Sequence, residues 1–200
     1  MRKVEELRQF IQNKEILKVA DMVKEGFPRE YIKRLHKEGS LLKLSRGIYI
    51  PSHVPIKENL SFAEVAKRVP NSVICLLSAL HFHGLTTQSP FEVWIAIGHK
   101  IHSPKLDGVS LHVNYFSNKL LGLGVEEHII AGVNVKIFSP AKTVVDCFKF
   151  RNKIGLDIAI EALKDCWQQR KATLTQLWYF AKACRMQNII RPYLEVVTNG

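Results

Sequence analysis

Leu41-Leu42-Lys43-Leu44-Ser45-Arg46-Gly47-Ile48-Tyr49-Ile50-Pro51 decides how the N-terminal quarter of the chain is read. Two short apolar runs flank Ser45-Arg46-Gly47 and Pro51 closes the second, the pattern of a β-hairpin on a tight glycine-containing turn. Three helical patterns precede it. Val4, Leu7, Phe10 and Ile11 fall on one face of a helix from Val4 to about Gln12. Ile16, Val19, Ala20 and Val23 do the same for a helix from about Glu15 to Lys24, which Gly26 ends as a left-handed cap. Pro28 suits the first position of a third helix, Arg29 to Lys37, because its missing N–H costs nothing there. Ile32 and Leu35 form the core side of that helix, and Gly39 stops it. Three helices and then a hairpin is the order of a winged helix-turn-helix, expected over residues 1–51.

Residues 52–60 carry Pro55 and no periodicity, and read as a linker. The remainder, 61–200, reads as a mixed α+β domain with a small sheet and three C-terminal helices. Ser61-Phe62-Ala63-Glu64 has the form of a capping box opening a helix to about Val69. A helical stretch from about Val73 to Phe82 ends at Gly84. Strands are expected at Glu92–Ile97, Ser110–Phe116, Val125–Ile130 and Val133–Phe138, the last two pairing across Ala131-Gly132. Ser139-Pro140 starts a helix to about Arg151, and helices follow at about Asp157–Gln169 and Thr173–Cys184.

The 200 residues hold 29 Lys+Arg against 18 Asp+Glu, a formal net charge of +11. An excess of this size favours a polyanionic partner, since each neutralised phosphate releases counterions. The excess is concentrated in residues 28–46, with six Lys/Arg and two Glu. Arg29, Lys33 and Lys37 recur at intervals of four with Arg34 beside them, on the face opposite Ile32 and Leu35. The hairpin adds Lys43, Ser45 and Arg46. Double-stranded DNA is the partner such a surface suits: the helix enters the major groove and the hairpin meets the backbone. A solvated charged face is the plainer reading of any one of these features alone.

The residues present exclude several chemistries. Cys75, Cys147, Cys166 and Cys184 are scattered among apolar residues and read as reduced core thiols. His81, His83, His99 and His102 lack companion Cys or carboxylate ligands at metal-site spacing, so no metal is expected. Asp146, Asp157, Glu161 and Asp165 lie among lysines and read as salt-bridged helix surface. No phosphate-binding glycine loop or nucleophile elbow occurs. No catalytic residue, enzyme activity or cofactor is therefore expected. With neither a signal-peptide run nor a membrane span in the sequence, the expected location is the cytoplasm.

Three segments resemble the AbiEi-type antitoxin family. Arg46-Gly47-Ile48-Tyr49-Ile50-Pro51 is similar to the close of that family's N-terminal winged helix. Leu77-Ser78-Ala79-Leu80-His81-Phe82-His83-Gly84-Leu85-Thr86 looks like its SAL..HGLT segment. The longest likeness runs from Ser139-Pro140-Ala141-Lys142-Thr143-Val144-Val145-Asp146 through Lys149-Phe150-Arg151-Asn152-Lys153 and Ile154-Gly155-Leu156-Asp157, and Glu161-Ala162-Leu163 closes it. The chain departs from it at Ala141-Lys142, where many relatives carry an acidic residue and arginine. The resemblance implies a type IV toxin–antitoxin system. The chain would repress its own operon at an operator of inverted repeats and counteract a nucleotidyltransferase-like toxin, often without a stable complex. Lys142, Lys149, Arg151 and Lys153 are the candidates for an antitoxin surface, the alternative being a solvated helix end. A winged-helix regulator that senses a ligand or partner, with no toxin, is the other functional class.

Overall fold

The computed structural model describes residues 2–55 and 59–199, and these gather into two compact units. One comprises residues 1–70 with 105–110 and 128–135; the other comprises 71–104, 111–127 and 136–200.

The first unit runs α1 (Arg2–Gln12), β1 (Leu17–Lys18), α2 (Val19–Lys24), α3 (Arg29–Lys37), β2 (Leu41–Ser45), β3 (Ile48–Pro51) and α4 (Leu60–Arg68). Its core joins Leu7 and Ile11 of α1, Leu17, Met22, Ile32 and Leu35, Leu41 and Tyr49. Each fully buried aliphatic side chain of this kind contributes about 1.5–3 kcal/mol. The expected helix over 15–24 is shorter than its periodicity suggests. Leu17 and Lys18 are drawn into an extended pair with Tyr49 and Ile48, so helix begins only at Val19. Gly26 (φ 86°) and Gly39 (φ 76°) follow α2 and α3 in the left-handed conformation their cap roles require. Pro28 is the N-cap of α3 rather than its first helical residue.

The unit continues beyond the linker expected at 52–60. Helix α4 and the 105–110 segment belong to it, because a buried polar cluster ties them to the hairpin. The expected Ser61 capping box does not form. Asn59 (φ 62°) is the N-cap, and Glu64 is 2 % exposed and turned toward Ser45 instead. Lys57, in the middle of the expected linker, lies outside the described residues.

The elements that follow are β4 (Val73–Ile74), α5 (Leu76–Phe82), β5 (Val93–Gly98), β6 (Leu111–Phe116), α6 (Asn118–Leu121), β7 (Val125–Ile130), β8 (Val133–Phe138), α7 (Pro140–Lys149), α8 (Arg151–Ile154), α9 (Leu156–Gln168), α10 (Leu174–Cys184) and α11 (Gln187–Asn199), all in the second unit except the turn end of the β7–β8 hairpin, 128–135. The strands form one sheet of order β6-β5-β4-β8-β7. Strand β4 is antiparallel to β5 and parallel to β8, whereas β5 and β6 are parallel. Helix α7 is the centre of the packing and touches α5, α9, α10 and α11. Two starts read from sequence are present: the Ser139 hydroxyl accepts from Lys142 N at 3.4 Å with Pro140 at the first turn, and Thr173 and Gln176 form a reciprocal capping box. The expectation of three C-terminal helices is corrected to five, α7 to α11. The backbone breaks at Phe150 (φ −99°, ψ 14°) to begin α8, and α11 runs on through Pro192 with Ile190 and Leu194 buried.

All four cysteines are free and buried. Burial pushes the Cys75 and Cys147 thiols well above their usual range, and those of Cys166 and Cys184 up to about 11. Since the thiolate is the reactive form, the folded chain should be inert to a disulfide reagent at neutral pH. The expected titration is no reaction before denaturation and four thiols after it. Stoichiometric labelling of any cysteine in the folded protein would contradict this packing.

Candidate nucleic-acid interface

Helix α3 is amphipathic for a simple reason: Ile32 and Leu35 are 1 % and 0 % exposed, and the cations occupy the other side. Arg29, Lys33 and Lys37 are exposed on it, as is Lys43 on β2. None of these four has an ion-pair partner among the described residues. Arg34 differs. Its Nε donates to Glu38 Oε1 at 2.8 Å, and Glu38 also takes a hydrogen bond from Arg8 Nη2. The Arg34 hydrogen bond holds the Glu38 carboxyl below its usual range. Arg34 is thus turned along its own helix toward Glu38.

The hairpin separates its three candidates in the same way. Lys43 pairs with Tyr49 and Ser45 with Ile48, leaving Leu44 as an extra residue that reverses the facing of Ser45. Ser45 is consequently 7 % exposed, and its hydroxyl donates to Glu64 Oε1 while accepting from Arg68 Nη1 at 3.1 Å. Arg68 Nη1 also reaches Glu64 Oε1 and the Asp107 carbonyl, each at 2.9 Å. Gly108 (φ 88°) lets that loop pass so close that an added Cβ would lie 2.9 Å from Ser45 Cβ. The expectation that Ser45 faces a ligand is therefore corrected: it is an internal contact. Arg46 projects at the turn, 3.6 Å from Asp107 Oδ2, with both side chains mostly in solvent. A pair so exposed exchanges readily for another anion.

In the second unit the four candidate cations do not form one surface. Lys142 is 0 % exposed and pairs with Asp146, also 0 % exposed. Its Nζ lies 4.2 Å from the Phe138 ring centroid and 5.1 Å from that of Phe116. Cys184 Sγ is 3.8 Å from the other carboxylate oxygen of Asp146. Lys142 is removed from the candidate surface and Asp146 from the exposed acids, because every position from Ala141 to Phe148 is buried. Burial raises the Asp146 carboxyl above its usual range, against the opposing pull of Lys142. Lys149 and Arg151 are half-buried, the latter donating to the Phe148 carbonyl at 3.0 Å. Lys153 is exposed, with its ammonium 5.6 Å from the Phe150 ring centroid.

Among the described residues, no group of three or more His, Cys, Asp or Glu side chains gathers as a metal site. His83 Nε2 lies 2.8 Å from the Phe138 carbonyl oxygen, and His81 is exposed. No helix among these residues is long and apolar enough to cross a membrane.

A family model described as "Transcriptional regulator, AbiEi antitoxin" matches residues 5–51, the segment from α1 through β3. The RV2827C protein from Mycobacterium tuberculosis, known from a crystal structure, is similar in fold with a TM-score of 0.62. The identity is 13%, over 90% of this chain and 70% of that one. No curated protein matches the chain. The N-terminal helices and strands thus carry an AbiEi-like motif resembling a helix-turn-helix module, within a chain of mixed α+β architecture.

Proposed function

We propose that this chain is a DNA-binding regulator of the antitoxin type. Residues 1–51 act as a winged helix-turn-helix that represses the chain's own toxin–antitoxin operon, and the remainder counteracts a nucleotidyltransferase-like toxin. The observation that carries the DNA-binding half is the row Arg29, Lys33 and Lys37 on α3, exposed and without an ion-pair partner among the described residues, within the segment the AbiEi regulator model matches. Long cations opposite a buried helix face can follow a groove while the core fixes the angle of entry. Lys43 and Arg46 then lie on the hairpin and serve phosphates. The antitoxin half is supported by the family likeness, and fold alone does not assign it.

The test is a fluorescence titration of the chain with its own upstream DNA and with random duplex at two salt concentrations. Arg29→Ala or Lys33→Ala should cost about 1–3 kcal/mol on the upstream site and little on random duplex. Arg46→Ala should weaken both alike and lower the salt slope by about one. Parent-like binding by all three variants would remove α3 as the reading element. The toxin half predicts that the chain restores growth to cells expressing the adjacent nucleotidyltransferase-like protein, and absence of rescue would reject it.

A further inference from the structure

The segment from the end of α9 through α10 into the first turns of α11 has a composition that the regulator reading does not use. Residues 170–191 contain five Lys/Arg (Arg170, Lys171, Lys182, Arg185 and Arg191) and no Asp or Glu. Leu177, Phe180, Ala181 and Cys184 bury one side of α10, which turns Tyr179 and Lys182 outward. Tyr179 is 59 % exposed, although a tyrosine ring carries a large apolar area that folding normally hides. Trp178 is half-buried one position away, and the Arg191 guanidinium lies 5.8 Å from its ring centroid. Arg185 caps the helix in the left-handed conformation (φ 59°) and is exposed. Lys182, Arg185 and Arg191 have no ion-pair partner among the described residues. At the opposite end of α10, a hollow of about 490 Å³ is lined by Trp167, Arg170, Ala172, Thr173 and Leu174.

We propose that this face binds single-stranded nucleic acid, with Tyr179 stacking a base and Lys182, Arg185 and Arg191 holding the adjoining phosphates. An exposed aromatic among unpaired cations suits an unpaired strand, whose bases offer their π-faces. A duplex keeps its bases stacked inside and presents only phosphates to a convex helix face. A second copy of this chain would bring the same five positive charges against one another with no acid in the segment to neutralise them. The proposal is independent of duplex reading by α3.

The experiment is fluorescence anisotropy with labelled oligouridylate and oligodeoxyuridylate of about twelve nucleotides, within the usual single-strand site range. The full chain carries Lys33→Ala throughout, so that α3 contributes less to the signal. Tyr179→Ala should weaken binding of at least one oligomer roughly tenfold, and Tyr179→Phe should retain it, because the ring rather than the hydroxyl stacks. Lys182→Ala should lower the logarithmic salt slope by about 0.7, the value for one phosphate contact on a single strand. Preference for the uridylate would identify RNA as the source of the strand, and equal binding would mean that the ribose hydroxyl is not read. Parent-like affinity in Tyr179→Ala, equal competition by a duplex of the same length, or self-association abolished by Tyr179→Ala would each overturn the proposal.

Discussion

Lys142→Ala is expected to destabilise the folded chain by about 3–5 kcal/mol at neutral pH, because it leaves the Asp146 carboxylate buried without its counter-charge. The cost should depend on pH in a definite direction. Burial already raises the Asp146 pKa in the folded protein, and Lys142 opposes that rise. Without the lysine the folded-state value moves further above the unfolded value of about 3.9. A carboxyl shifted upward is neutral in both states at low pH and costs nothing there. As pH rises past the unfolded value, the unfolded state ionises first and stability falls until the folded value is passed. The deficit of Lys142→Ala should therefore shrink as urea unfolding is moved from pH 7 toward pH 4. Lys142→Met combined with Asp146→Leu removes both charges at similar volume and should lie near the parent. A deficit below about 1 kcal/mol, or one equal at the two pH values, would show that the pair is not sealed from water.

The burial of that pair is not what helix charge alone predicts. Charged residues on a helix ordinarily mark its solvent side, which places Lys142 on a surface and Asp146 among exposed acids. The opposing signal was present: Ala141, Val144, Val145, Cys147 and Phe148 distribute apolar character around the whole of α7, as in a helix buried on every side. In such a helix, opposite charges four residues apart are placed to satisfy each other. Local signals performed better where local chemistry decides the outcome. The Thr173 capping box, the Arg46-Gly47 turn and the β7–β8 hairpin across Ala131-Gly132 all follow from residues within a few positions of one another. Strand β1 and strand β4, two residues each, are created by pairing with distant partners, Tyr49 for Leu17 and Ala96 for Val73. No local pattern announces them. In the candidate interface, the exposed row on α3 was legible from its spacing, but the Leu44 bulge that turns Ser45 inward was not.

Glu64→Ala is expected to cost a further 3–5 kcal/mol class of loss in the first unit, for the same reason with the sign of the orphaned charge reversed. Glu64 is 2 % exposed and the Arg68 side chain is 13 % exposed, so the guanidinium loses its carboxylate in a largely dry setting. Ser45→Ala should be much milder, about 1 kcal/mol, since it removes only the hydroxyl and leaves the Glu64–Arg68 pair in place. The serine variant separates two accounts of the hairpin. If Ser45 is an internal contact, Ser45→Ala lowers the urea midpoint while affinity for upstream DNA at fixed salt stays at the parent value. If it also reaches phosphate once DNA is bound, affinity falls as well as the midpoint, which would mean that the hairpin opens away from α4 on binding. Glu64→Gln helps decide whether charge or shape holds the cluster. The amide preserves volume and can still accept from Ser45, so a loss close to that of Glu64→Ala would assign most of the stabilisation to the ion pair with Arg68.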